Sequence, residues 1–176
     1  MEEELRSQNL IVVAGDKAEY CENESLLGKE VCESFPSAKY DVREAGNCYA
    51  VGLNGACVFH LMRVLEVGLR ALTTDIGIPF KTEAWGRILE QIECAIVEIR
   101  RSKKEDPRKK KLHVYSQCVV EFGNFKDAWR NFAVHETDRH SYDEYYVRSI
   151  MEHVKYFMQA LAAEFSELAP LTPDQG

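Results

Sequence analysis

Near the end of a long apolar-periodic stretch the chain reads Trp129-Arg130-Asn131-Phe132-Ala133-Val134-His135-Glu136. An arginine, an amide and a histidine lie within six residues on an otherwise apolar helix. Arginine is a permanent cation whose forked guanidinium grips phosphate oxygens. Histidine titrates near neutrality and can move a proton. Phosphodiester cleavage uses both services: charge stabilisation and proton transfer. Asn131 and His135 are four apart and share a helix face. Arg130 precedes His135 by five, which turns it ~140° away. The two side chains reach one phosphate if His135 sits at a frayed helix end, beside the polar segment Thr137–His140. They also do so if a twofold-related copy supplies the second set. A purely structural role is open as well: Arg130 pairing with Glu136 or Asp127, and His135 placed at a helix end by the dipole.

A second chemical feature is the run Arg100-Arg101-Ser102-Lys103-Lys104-Glu105-Asp106-Pro107-Arg108-Lys109-Lys110-Lys111, with eight cations and two anions. Its local +6 leaves −13 on the rest of a chain whose net charge is −7. The overall sign argues against a general nucleic-acid binder. A dense basic loop on an acidic body still steers a polyanion to one place, which makes Arg101, Arg108, Lys109, Lys110 and Lys111 candidate RNA contacts. Such runs equally serve as solvated inter-helix loops.

Other candidates have ordinary readings beside functional ones. His60, Arg63, Glu66 and Arg70 recur at helical spacing. Glu66 can pair with Arg63 or Arg70 on the surface, or the group can line a cleft opposite Arg130. His140 beside Arg139 sits in the polar break. Tyr142, Tyr145 and Tyr146 can stack on bases or pack between helices. His153, next to Glu152, has no partner at metal-ligand spacing. The six cysteines, Cys21, Cys32, Cys48, Cys57, Cys94 and Cys118, form no CxxC pair. They are expected as reduced thiols on buried helix faces, with no structural metal.

The elements that must position these residues are helical. At 176 residues, 45% hydrophobic and 29% charged, the chain suits one soluble globular domain. No apolar run approaches the ~20 residues of a bilayer span. The acidic start Met1-Glu2-Glu3-Glu4 is unlike a signal peptide, so a cytoplasmic location is expected. Residues 1–35 read as an N-terminal arm with a weak helical period through Tyr20, Leu27, Val31 and Phe35. A long helix is predicted from about Ser37 to Asp75, through Ala45, Cys48, Gly52, Ala56, Phe59, Met62, Leu65, Leu69 and Leu72. Small residues in its first half would let another helix come close, and Gly77 is placed as its C-terminal cap. A second helix spans about Glu83 to Arg101, with Thr82 as N-cap and a stripe of Trp85, Ile88, Leu89, Ile92, Ala95, Ile96 and Ile99. A third runs from about Leu112 to His135. A fourth opens on the capping box Ser141-Tyr142-Asp143-Glu144 and runs to about Leu168, with 169–176 as a flexible tail. The expected fold is an all-α bundle of four to five helices over 36–168, with an irregular N-terminal arm.

Arg130-Asn131-x-x-x-His135 on a late helix resembles the Arg-x(4–6)-His signature of the HEPN superfamily (higher eukaryotes and prokaryotes nucleotide-binding domain). Asn131 is the polar residue typical directly after that arginine. The segment Ala56-Cys57-Val58-Phe59-His60-Leu61-Met62-Arg63-Val64-Leu65-Glu66 is similar to the early long helix of bacterial members. The resemblance covers roughly Pro36 to Leu168. It implies a metal-independent, cofactor-free endoribonuclease in a bacterial defence or stress setting, working as a homodimer whose two motifs meet in an interface cleft. Arg130 would stabilise the phosphorane, His135 would act as general base or acid, and Asn131 would orient the phosphate or His135. The product would be a 2′,3′-cyclic phosphate. Toxin members with an antitoxin partner carry a tyrosine two positions after the histidine, where this chain has Thr137; an antitoxin or other regulator protein stays an open partner. The rival expectations are a noncatalytic nucleotide- or RNA-binding module and a protein-interaction bundle.

Overall fold

The computed structural model describes residues 12–80, 84–134 and 143–167, with the backbone alone for 129–134. The regular elements among the described residues are all helices: α1 (Lys29–Ser34), α2 (Lys39–Ala50), α3 (Asn54–Ile76), α4 (Trp85–Arg101), α5 (Leu112–Val134) and α6 (Glu144–Glu164). Short 3₁₀ turns at Gly15–Tyr20, Pro36–Ala38 and Pro107–Lys111 join them. The all-α bundle expected from periodicity is the fold.

The one long helix expected from Ser37 to Asp75 is two helices folded back on each other. The break lies at Val51–Leu53, where Gly52 takes φ +77°. Leu53 N–H donates to Cys48 O at 2.8 Å and Gly52 N–H to Tyr49 O at 3.1 Å. These are the paired bonds of a Schellman ending, which satisfies the last carbonyls of α2. The apolar spacing runs on through the turn because both helices bury the same kind of face. The glycines that lowered helix propensity there marked the turn. The ending expected at Gly77 is of the same kind: Gly77 has φ +88°, Ile78 N–H reaches Thr73 O at 2.8 Å and Gly77 N–H reaches Thr74 O at 3.1 Å.

α3 is the spine. Its Leu61, Val64, Leu65, Leu69, Leu72 and Ile76 are fully buried. α2 and α6 pack along it, and α4 packs along α5. Gly68 permits the α3–α6 approach: a Cβ there would lie 2.7 Å from a Leu161 methyl. Gly46 does the same for the first 3₁₀ turn, because a Cβ there would run into the Tyr20 carbonyl. α4 buries Ile88, Leu89, Ile92, Ile96 and Ile99 of the expected stripe, with Trp85 and Ala95 half-buried, and α5 buries Cys118, Phe122 and Phe125.

The core does not stop at residue 36. Leu27, Val31 and Phe35 are buried in it, and α1 packs on α6. Glu167 N–H donates to Ser34 O at 3.0 Å, and Ser37 bonds the Glu167 carboxylate. α6 begins on Asp143, whose side chain accepts from Tyr146 N–H at 2.7 Å. The capping role expected of Ser141, like that of Thr82, falls outside the described residues, as does the tail 169–176.

All six cysteines are free. Cys57 and Cys118 are buried, and burial pushes both thiols up to about 12. Cys94 is exposed, unlike the buried placement expected of it. No described helix is long and apolar enough to cross a membrane.

Candidate functional site

Arg130 and Asn131 lie on α5, four and three residues before its last described residue, Val134. Their side chains and the whole of His135 fall outside what is described, as do His140 and Tyr142. The helix that carries them is fixed by its inward face. Phe125 packs on Phe157 at 5.6 Å and on His153 at 4.4 Å. One turn before the motif, a pocket of about 250 Å³ opens between α3, α5 and α6, lined by Val58, Met62, Phe125, Ala128, Tyr146 and His153 among others. Tyr145, on the first turn of α6, is exposed. His153 Nε2 lies 3.2 Å from Glu121 Oε2 on α5.

The basic run is placed at the other end of α5. Leu112 and Arg130 stand about 27 Å apart along the axis at 1.5 Å per residue. Most of its expected RNA contacts are engaged within the fold. Arg108 clasps Asp106 through Nε at 3.1 Å and Nη2 at 2.9 Å, and its Nη1 donates to Ile76 O, an end carbonyl of α3, at 2.9 Å. The Arg108 guanidinium, aided by Ser102, holds the Asp106 carboxyl well below the usual carboxylate range. Lys111 Nζ donates to Asp75 Oδ1 at 2.9 Å and to Glu164 O at 3.0 Å, and lies over the Phe165 ring. Tyr115, fully buried, donates to Asp75 Oδ2 at 2.6 Å. Burial first, then that bond and the Asp75 charge, lift its hydroxyl above the usual tyrosine value. Lys109 Nζ donates to Ser102 O at 2.6 Å. Cations of this set fasten the end of α3 to the α4–α5 connection and to the end of α6. Of the five predicted contacts, Arg101 and Lys110 keep exposed side chains with no partner among the described residues.

A third constellation joins α2 to α3. Asp41 is buried, its side chain only 7% exposed. Its Oδ1 accepts from His60 Nδ1 at 2.8 Å and from Arg63 Nε at 2.8 Å. Donation from Nδ1 sets the His60 tautomer and leaves Nε2 as the acceptor nitrogen. The Asp41 bond also raises the Arg63 guanidinium above its usual value. Arg63 is 53% exposed, so its two Nη groups face away from the carboxylate that holds Nε. Tyr40 and Phe59 present their rings to His60 edgewise, at 6.3 and 5.6 Å between centroids. The surface ladder expected on this helix is partly formed: Glu66 pairs with Arg70 at 2.8 Å, while Arg63 turns to Asp41 instead.

Asp41 was not legible as a site residue. It reaches His60 across 19 positions and Arg63 across 22, and only the turn at Gly52 brings them together. His60 lies between Val58 and Met62 in sequence, about 200° round α3 from Val58 at 100° per residue. It therefore stands level with the pocket at the motif end of α5, on the opposite flank of the spine.

Comparison with known protein families, with curated proteins and with solved structures returns no match.

Proposed function

We propose that the protein is a HEPN-type endoribonuclease acting as a homodimer, with Arg130, Asn131 and His135 as its catalytic set. The observation that carries this reading is the Arg130-Asn131-x-x-x-His135 spacing on a late helix of an all-α bundle, with Arg130 and Asn131 on α5. His135 takes the proton from an RNA 2′-hydroxyl. The freed O2′ attacks the adjacent phosphorus, and the P–O5′ bond breaks. A proton delivered to O5′, from a histidine acting as acid, completes the step. The fragments carry a 2′,3′-cyclic phosphate and a 5′-hydroxyl. Arg130 neutralises the phosphorane, where preorganised charge is worth most. Asn131 orients the phosphate or His135. Because Arg130 and His135 face ~140° apart on one ideal helix, a site shared by two copies brings both to one phosphate.

The test is cleavage of single-stranded RNA in excess EDTA. Wild-type protein is expected to cleave, and Arg130→Ala and His135→Ala each to lose on the order of 10²–10⁴-fold. Absence of cleavage by clean wild-type protein over a panel of RNAs overturns the enzyme reading.

A further inference from the structure

We infer that Asp41, His60 and Arg63, with the rings of Tyr40 and Phe59, form a binding site for a nucleotide of single-stranded RNA. The site rests on its own residues and does not depend on Arg130 or His135.

A clamp between two helices needs a carboxylate and one donor. Here the buried Asp41 Oδ1 takes two donors at the same 2.8 Å, and each of the two side chains keeps unused hydrogen-bonding capacity. His60 presents Nε2, which has no partner among the described residues. Arg63 presents the Nη edge of its guanidinium, held in orientation by the Nε bond to Asp41. The Arg63 fork, fixed by a buried anchor, matches the oxygens of a phosphate, and the His60 Nε2 lone pair accepts from a ribose hydroxyl or a base N–H. This is a preorganised arrangement rather than a pair of free surface side chains, because the anchor restricts both rotamers before any ligand arrives.

The aromatic half points to a base. Phe59 is 53% exposed and Tyr40 is 59% exposed. Every other phenylalanine whose side chain is described is buried or half-buried. Burial of a phenylalanine side chain is worth roughly 1.5–3 kcal/mol, so exposing one beside a guanidinium fork is a cost the clamp does not explain. An exposed ring one helical turn before a guanidinium fork, as Phe59 stands before Arg63, is an arrangement that takes a stacked base with its phosphate. Charge limits the class of ligand to one that brings a stacking group. Asp41 offsets Arg63, and Arg43, 5.4 Å over the Tyr40 ring, is itself shared among Glu22, Glu24 and Glu44. Phosphate alone therefore gains little here, and the base supplies the rest.

The experiment is fluorescence anisotropy with a labelled eight-nucleotide 2′-O-methyl RNA, which cannot be cleaved through its 2′-oxygen. Wild-type protein is titrated beside Phe59→Ala, Arg63→Gln and Arg63→Lys. Thermal melts check that the exposed substitutions leave the fold intact. Phe59→Ala and Arg63→Gln are each expected to weaken Kd by about fivefold to a hundredfold, the range of one base stack or one forked contact. Arg63→Lys should fail to restore binding, because an ammonium lacks the fork. Arg63→Gln should also flatten the salt dependence by about 0.7 in slope. The inference is overturned if wild-type protein does not bind the RNA, or if both substitutions leave Kd unchanged. A Phe59→Ala protein that changes oligomeric state without affecting RNA would assign the face to a second copy and overturn it too. Loss of cleavage with intact, Arg63-dependent binding would sink the catalytic reading and leave this one standing.

Discussion

Two aspartates on the α2–α3 hairpin anchor polar clusters of opposite character. Asp75, at the end of α3, has each oxygen taken by a different donor, Lys111 at 2.9 Å and Tyr115 at 2.6 Å. The cations around it are spent as well: Lys111 also reaches Glu164 O, and Arg108 divides between Asp106 and Ile76 O. That cluster is closed. It satisfies chain ends and holds α3, α5 and α6 in register, and buried or half-buried polar groups need such partners. Asp41, on α2, holds two donors through one oxygen, and Arg63, 53% exposed, still turns its Nη groups to solvent. That cluster is open. A closed cluster spends its charge on the fold, and an open one keeps hydrogen-bonding capacity for something outside it.

The comparison makes its sharpest prediction at the closed end. Tyr115→Ala should cost about 3–5 kcal/mol of stability, the range for deleting a buried aromatic. Tyr115→Phe, which removes only the bond to Asp75, should cost about 1–2 kcal/mol. Chemical denaturation measures both. Arg63→Gln at the open end should stay within about 1 kcal/mol of wild type, because the buried Asp41 keeps its bond from His60 and Arg63 itself is 53% exposed. Equal losses for Tyr115→Phe and Arg63→Gln would erase the distinction.

Next in size is the turn that creates the open cluster. Gly52→Ala should cost roughly 1–2 kcal/mol, since a Cβ at positive φ is strained. The open space around that position rules out a packing clash as the cause. A neutral or stabilising Gly52→Ala would argue for the uninterrupted helix that the apolar spacing suggests.

That turn also shows what was legible in the chain. The stripes of α4 and α5, and the Gly77 ending, follow from local spacing. The Gly52 ending does not, because apolar residues keep the same 3–4 spacing on both sides of it. The fate of the basic run was hidden for a related reason. Counting charges over Arg100–Lys111 does not reveal that Asp75, 36 positions before Lys111, waits for one of them. Asp41 was hidden by the same kind of distance. Pairings across an antiparallel helix turn leave no periodic trace in sequence.

Alkaline pH acts on both ends, by a smaller margin. Tyr115, Cys57 and Cys118 all hold their protons more tightly in the fold than in the unfolded chain, chiefly through burial. The unfolded state therefore loses protons first. Their contribution to stability is complete below the ordinary values, about 8.5 for cysteine and 10 for tyrosine, and is lost as pH rises toward the folded ones. Melting temperature should fall progressively above about pH 9, and Tyr115→Phe should make the fall shallower above pH 10. An unchanged slope in that variant would remove Tyr115 from the account.

The smallest effect is expected in the basic run. Lys110→Ala and Arg101→Ala should leave melting unchanged and flatten the salt dependence of RNA binding by about 0.7 per charge. Arg108→Ala should instead lower the melting temperature, with no specific effect on RNA once the folded fraction is matched.

The central functional claim is read most directly from the ends left on cleaved RNA. Incubation of a defined single strand in EDTA, followed by end-group analysis, should give 2′,3′-cyclic phosphates and 5′-hydroxyls with wild-type protein, and neither with Arg130→Ala or His135→Ala. Fragments ending in 3′-hydroxyl and 5′-phosphate, or cyclic phosphates that persist in both variants, would contradict it.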